Sequence, residues 1–169
     1  MADSNITKKA LSSALKRLLE EKPFAKISVG DICEKCEMNR KSFYYHFQDK
    51  YDLVNWIFDT EFLSSASESV TGQDLLNSLC IYFYENRIFY RRVFSVEGQN
   101  SFADYFREII ISVLKNNLHG ISGAASPDFF VEFYADAFVC SFKKWLLAEN
   151  CAPAQEYAAG LKSCIPELD

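Results

Sequence analysis

The nine residues NRKSFYYHF, Asn39 to Phe47, bring phenylalanine, tyrosine and histidine rings together with two adjacent cations, Arg40 and Lys41. Wound as a helix at about 100° per residue, Phe43 and Phe47 fall on one stripe and Lys41, Tyr45 and Gln48 on the opposite one, with Ser42 and Tyr44 beside it. Such a helix has a narrow apolar keel and an outer face of hydrogen-bond donors with little negative charge. That face suits a polyanion. Other chemistries find less support. The chain has two histidines, His46 and His119, and no glycine-rich phosphate loop, so no convergent set of acid, base and nucleophile can be assembled, and no catalytic residue is assigned. Cys33 and Cys36 form a CxxC without a second pair, which leaves a four-ligand metal site short of ligands. No metal and no cofactor is expected.

The elements that must position this stretch are helices. From Thr7 to Glu21, Ala10, Leu11, Ala14, Leu15, Leu18 and Leu19 recur at three- and four-residue spacing until Pro23 ends the run. Ser28-Val29-Gly30-Asp31 reads as a capping box opening a short helix to about Lys35. Asn39 caps the next after a tight turn, and Asp49 opens a longer one in which Leu53, Trp56, Ile57 and Thr60 share a side. Thr71 to Asp74 signals a helix running to about Phe89 or beyond. Ser101 to Asp104 starts another that ends near Gly120. Ser126 and Pro127 begin a long helix, and a last short one follows Pro153. Strand-like alternation is absent, so the expected class is all-α.

With 169 residues, 49% hydrophobic, the chain can bury a sizeable core. No apolar run approaches the roughly 18 residues of a membrane span, and the N-terminus lacks the apolar centre of a signal peptide. A cytoplasmic protein is expected, its six cysteines reduced and mostly filling core. The net charge of −5 argues against nucleic acid until it is divided. Residues 1–50 hold ten Lys/Arg against seven Asp/Glu, whereas 51–169 hold eight against sixteen. A basic module is carried by an acidic body.

Two short helices joined by a tight turn, the second with an exposed basic and aromatic face, meet the requirements of a helix-turn-helix. The segment ISVGDICEKCEMNRKSFYYHFQDKYDL, Ile27 to Leu53, resembles the DNA-binding region of TetR-type transcriptional regulators, in which tyrosine-tyrosine-histidine-phenylalanine is followed by a charged turn with lysine and then leucine. Beyond the first sixty or so residues, the helical layout and KKWLLAEN (Lys143 to Asn150) resemble the subgroup with a short C-terminal domain that includes activators of dihydroxyacetone kinase operons. The resemblance implies a three-helix DNA-binding domain over 1–50 and a helical bundle for dimerisation and regulation over 51–169. There are departures: Glu37 stands in the turn where the family usually has glycine, and Lys41 where it has a second small residue.

Resemblance and helical geometry together imply the roles. Lys41 and Tyr45 are the candidates to reach base edges, and Arg40 can reach either a base or the backbone. Tyr44, His46 and Lys50 are expected on phosphates, although Tyr44 can also pack on the fourth helix. Ser28 at the start of the second helix and Thr7 at the start of the first would each hold another phosphate. Asn39 and Ser42 belong to the same surface, Asn39 foremost as a cap.

In the acidic half, the helix from Pro127 is apolar nearly all the way round, which demands burial on every side. Phe130, Tyr134 and Phe138, with Tyr157 and Leu161 of the last helix, are the candidate dimer interface. This agrees with the dimerisation mode of the family and with a palindromic site. Phe83, Arg87, Phe94 and Tyr105 are a candidate effector pocket for a small anionic or polyol ligand, or simply core. The expected function is a DNA-binding regulator, a repressor acting as a homodimer on a pseudo-palindromic operator in double-stranded DNA. It would be controlled by a small-molecule effector or by a partner protein. The competing readings are an activator controlled by a partner protein, as the dihydroxyacetone subgroup implies, and a helical protein-interaction module that does not touch DNA.

Overall fold

A computed structural model describes residues 2–66, 72–96, 101–117 and 127–164. Among them every regular element is helical, as the spacing predicts. Helix α1 (Ala2–Glu21) turns Leu11, Ala14, Leu15, Leu18 and Leu19 inward. After Pro23 a single 3-10 turn, Phe24–Lys26, buries the Phe24 ring and leads to α2 (Val29–Lys35). The expected capping box forms: the Asp31 amide donates to Ser28 Oγ at 3.1 Å and the Ser28 amide to Asp31 Oδ2 at 2.7 Å. Helix α3 (Arg40–His46) is capped by Asn39, whose Oδ1 accepts from the Ser42 amide at 2.8 Å. Asp49 caps α4 (Lys50–Phe58) by accepting from the amides of Tyr51 and Asp52. Thr71 and Ser126, the remaining expected caps, lie outside the described residues.

Two departures shape the body. Helix α4 passes through a π turn, Asp59–Leu63, before resuming as α5 (Ser64–Ala66). The extra residue brings Asp59 and Glu61 to different neighbours. Asp59 accepts from the Tyr105 hydroxyl. Glu61 takes the Lys16 ammonium on both oxygens at 2.5 and 2.7 Å and lies 3.3 Å from the Tyr82 hydroxyl. Tyr82 in turn shares a 2.8 Å hydrogen bond with Tyr90, whose side chain is fully buried. The second departure is a break at Asn86, where one long helix was expected. Its side-chain amide donates to the Tyr82 carbonyl at 2.9 Å, the kind of local competition that ends helices. The chain therefore divides into α6 (Gly72–Glu85) and α7 (Arg87–Phe94). Beyond the break Phe89, Tyr90, Val93 and Phe94 are buried in the core.

Helix α8 (Phe102–Asn117) starts on a second capping box, with Ser101 and Asp104 exchanging hydrogen bonds. It packs along α9 (Pro127–Leu147), and α10 (Ala154–Cys164) lies on α6. Phe58, Phe83, Tyr90, Phe94, Phe102, Phe106 and Phe142 are each at most 1% exposed and form one ring cluster. The Phe83 ring alone lies 4.7 Å from Tyr90 and 5.3 Å from both Phe106 and Phe142. Pairs of this kind contribute about 0.5–1.5 kcal/mol beyond the area they bury. The apolar core runs unbroken from this cluster through α4 into Leu11, Ile32, Phe43 and Phe47, so the start of the chain is seated firmly on the body.

Candidate nucleic-acid interface

Helix α3 sits on its neighbours through Phe43, fully buried, and Phe47, 4% exposed. The turn that brings it there holds Glu37 at φ 56°. The Met38 amide donates to the Cys33 carbonyl at 2.8 Å and the Glu37 amide to that of Glu34 at 3.2 Å. This is the paired closure of a Schellman motif, whose left-handed position usually belongs to glycine. Glutamate keeps the turn and accepts the strain. Cys33 and Cys36 support the same corner: Cys33 is buried, Cys36 donates its thiol to the Ile32 carbonyl, and burial pushes both thiols above the ordinary value.

Much of the expected set faces outward. Arg40 and Lys41 are exposed, Tyr44 is 58% exposed and Tyr45 82%. Tyr44 thus stays on the surface, its ring edge-on to Phe43. His46 is half-buried, with its ring edge-on to Tyr45 at 4.8 Å. Ser42 is half-buried and its hydroxyl returns to Asn39 at 3.2 Å. Ser28 is exposed at the start of α2, across an open cleft of about 390 Å³ from Asn39 and Arg40.

Two assignments change. Thr7 does not stand at the start of α1, because Ala2 to Ile6 extend that helix ahead of it; its amide is inside the helix rather than free for an anion. Lys50 projects inward. Its ammonium donates to the carbonyls of Phe24 and Ile27, both at 2.8 Å, and to Ala25 at 3.5 Å, and lies 4.6 Å above the Phe24 ring. Burial lowers its pKa against the pull of Asp49 and Asp31. With the Phe24 and Ile27 carbonyls close and Ala25 farther off, main-chain acceptors take up the ammonium, and the side chain braces the 24–27 turn against α4. The sequence could not show this, since the acceptors lie more than twenty residues upstream and are main-chain atoms.

The body corrects the expected pocket. Phe83 and Phe94 are sealed in the ring cluster, whereas Arg87 is exposed and turned back onto the end of α6, its guanidinium over the Tyr84 ring at 4.8 Å and donating to the Tyr84 carbonyl. Tyr105 is engaged with Asp59. The four do not converge on a pocket, because the break at Asn86 turns Arg87 away from Phe83. On α9, Phe130, Tyr134 and Phe138 are half-buried, as are Tyr157 and Leu161 of α10, and Tyr134, Phe138, Tyr157 and Leu161 pack on the core. Tyr157 stacks on Trp145 at 4.0 Å. The exposed stripe of α9 is Phe129 (71%), Phe133 (58%), Ala137 and Cys140, with the two phenylalanine rings stacked on each other. One flank is closed by Arg107 of α8, which pairs with Glu132 and with Asp136 at 2.6 Å.

A cationic, tyrosine-bearing helix held outward on a left-handed turn, at one end of an all-helical body, is the architecture of a helix-turn-helix transcriptional regulator. Family models agree over both parts. One described as bacterial regulatory proteins, tetR family, matches residues 11–57, and one described as transcriptional regulator C-terminal region matches 71–166, more than half the chain. The chain belongs to the TetR family of transcriptional regulators. It is similar to the HTH-type dhaKLM operon transcriptional activator DhaS of Lactococcus lactis subsp. lactis (strain IL1403), 34% identical over 100 residues. That match covers 57% of this chain and 54% of the relative, so it spans about half the length of that protein. Among solved structures, a dihydroxyacetone kinase operon activator DhaS superposes with a TM-score of 0.67 at 24% identity, covering 94% of this chain and 93% of that one. A TetR transcriptional regulator from Streptococcus agalactiae 2603V gives 0.70 at 19% identity, covering 98% and 97%. These two likenesses speak for the fold. No helix among the described residues is long and apolar enough to cross a membrane.

Proposed function

We propose that the chain binds a pseudo-palindromic operator as a homodimer, one α3 in each of two successive major grooves. The observation that carries this reading is the outer face of α3, where two largely exposed tyrosines stand beside Arg40 and Lys41 on a helix whose apolar residues are fully seated. Lys41 reaches guanine acceptors, and Tyr45 a thymine methyl or a phosphate. Tyr44, His46, Ser42 and Ser28 donate to the backbone, with Asn39 holding the helix start. Lys50 contributes here through its main-chain amide, which precedes the two that Asp49 caps. The dimer forms on α9 and α10, with the Phe129 and Phe133 stripe as its apolar centre.

Occupancy of an operator is enough to block transcription, so repression requires no further surface. A second reading, activation controlled by a partner protein, is favoured by one observation: the ring cluster fills the interior where a small effector was expected. The name of the similar DhaS protein, a transcriptional activator, points the same way. Selection of bound sequences from a random DNA pool, followed by anisotropy titrations on the recovered site, tests the core proposal. Lys41→Ala should relax base preference at one position in each half-site, and an equal loss on all sequences would sink the assignment of Lys41 as a reader. A reporter driven by the recovered site, with the gene present and absent, then fixes the sign.

A further inference from the structure

Gly30 occupies the first turn of α2, a place where nearly any other residue would make a better helix. Its backbone does not require glycine, since Gly30 does not adopt a positive φ. What requires the missing side chain is a neighbour. A Cβ built on Gly30 would lie 2.6 Å from Nη2 of Arg40 and 3.3 Å from both its Cζ and Nε. The guanidinium of Arg40 therefore reaches back from the start of α3 and rests on the bare backbone of α2. It lies in the cleft lined by Ser28, Met38 and Asn39, away from Lys41 and Tyr45. Among the described residues it has no ion-pair partner, although Asp31 and Glu34 also line the cleft; Asp31 is occupied by Ser28 and by Lys22 at 3.1 Å. An unpaired guanidinium parked between two helix starts is ready for an oxygen anion.

We propose that Gly30 is a positioning residue for DNA binding: by presenting no side chain it seats Arg40 between α2 and α3 as a backbone-phosphate anchor and keeps it from the base edges. The inference rests on the operator-binding reading and deepens it. It settles the two destinations open to Arg40 from sequence in favour of the phosphate. The contact that a methyl group at position 30 would violate is with the far end of a flexible side chain, so Arg40 would swing out and the fold would not suffer. Function and stability thus separate, because alanine in this turn is also the stronger helix former.

The test is a double-mutant cycle on the full-length protein with its selected operator, measured by anisotropy across a salt series. Gly30→Ala should weaken binding about five- to tenfold at moderate salt and reduce the salt slope by about one unit per subunit. Its melting temperature should equal or exceed that of the parent. In an Arg40→Ala background the same Gly30→Ala change should cost less than about twofold, since the group it displaces is gone. Loss undiminished in the Arg40→Ala background, or unaltered binding by Gly30→Ala, would overturn the proposal. So would an unchanged salt slope with altered base preference in Gly30→Ala, which would make Arg40 a base reader. Failure of the parent protein to bind any selected duplex would instead strike the operator-binding reading itself.

Discussion

Replacing Lys50 with methionine keeps the aliphatic stem and removes only the ammonium. In the structure that group donates to Phe24 and Ile27 at 2.8 Å each, with a longer contact to Ala25, and sits over the Phe24 ring. A hydrogen bond from a charged donor contributes about 1.5–3 kcal/mol and a part-buried cation–π contact about 0.5–1 kcal/mol. Desolvation offsets a share of this, as the lowered pKa of Lys50 indicates. A net loss of about 2–3 kcal/mol follows, or roughly 5–10 °C in melting temperature for a chain of this size. Thermal unfolding followed by circular dichroism at pH 7 measures it. The salt slope of operator binding, taken below the transition, should stay within experimental error of the parent, because the ammonium was never on a phosphate. A melting temperature within about 1 °C of the parent, with a slope lower by about one unit per subunit, would refute the reasoning and return Lys50 to the DNA backbone.

Three further outcomes are expected. Glu37→Gly should relieve a left-handed strain of about 1–2 kcal/mol while loosening the unfolded chain by about half that, for a gain of about 0.5–1 kcal/mol that urea unfolding would detect; no gain would mean the Glu37 side chain contributes something the turn geometry does not show. Phe133→Asp should yield folded monomers by light scattering, whereas a dimer mass with intact helicity would put the interface away from the exposed stripe of α9. Hydrogen bonds from the Ser28 amide first, then from its hydroxyl and from Lys22, hold the Asp31 carboxyl at about 2 instead of 3.8. Because the folded-state value is depressed, the stabilisation from the capping box is complete above about pH 4 and lost as pH falls through about 2. The Ser28 amide resonance should titrate with the lower midpoint, and a midpoint near 4 would show the box to be open.

The caps were the most legible features. Ser28 with Asp31, Asn39, Asp49, and Ser101 with Asp104 each satisfy amides a few residues away, so the information is local and survives in one dimension. The outer face of α3 was legible for the same reason, since Phe43 and the C-cap Phe47, four apart, leave one phase for the seven-residue helix. Where acceptors came from distant backbone, as for Lys50, residue type suggested a role that three-dimensional neighbours overrode. Arg87 failed through one residue: Asn86, unremarkable in a helical run, bonds the Tyr82 carbonyl and turns the chain. On α9 the hydrophobic pattern had no phase at all, so it could not say that Phe138 faces inward and Phe133 outward. Gly30 left a trace, a glycine in the first turn of a helix, but its reason is a guanidinium ten residues on.

The π turn at Asp59–Leu63 bears on how this chain could gain or lose a residue. In an ordinary helix, deleting one position rotates everything beyond it by about 100°. A π turn holds its surplus residue within a single widened coil, so excision of the exposed Thr60 would let that coil close to α geometry with the flanking segments still in step. The same excision at Val54 or Asn55 would swing α3 around the body. Loss of a residue at that coil would therefore change only which neighbours Asp59 and Glu61 hold.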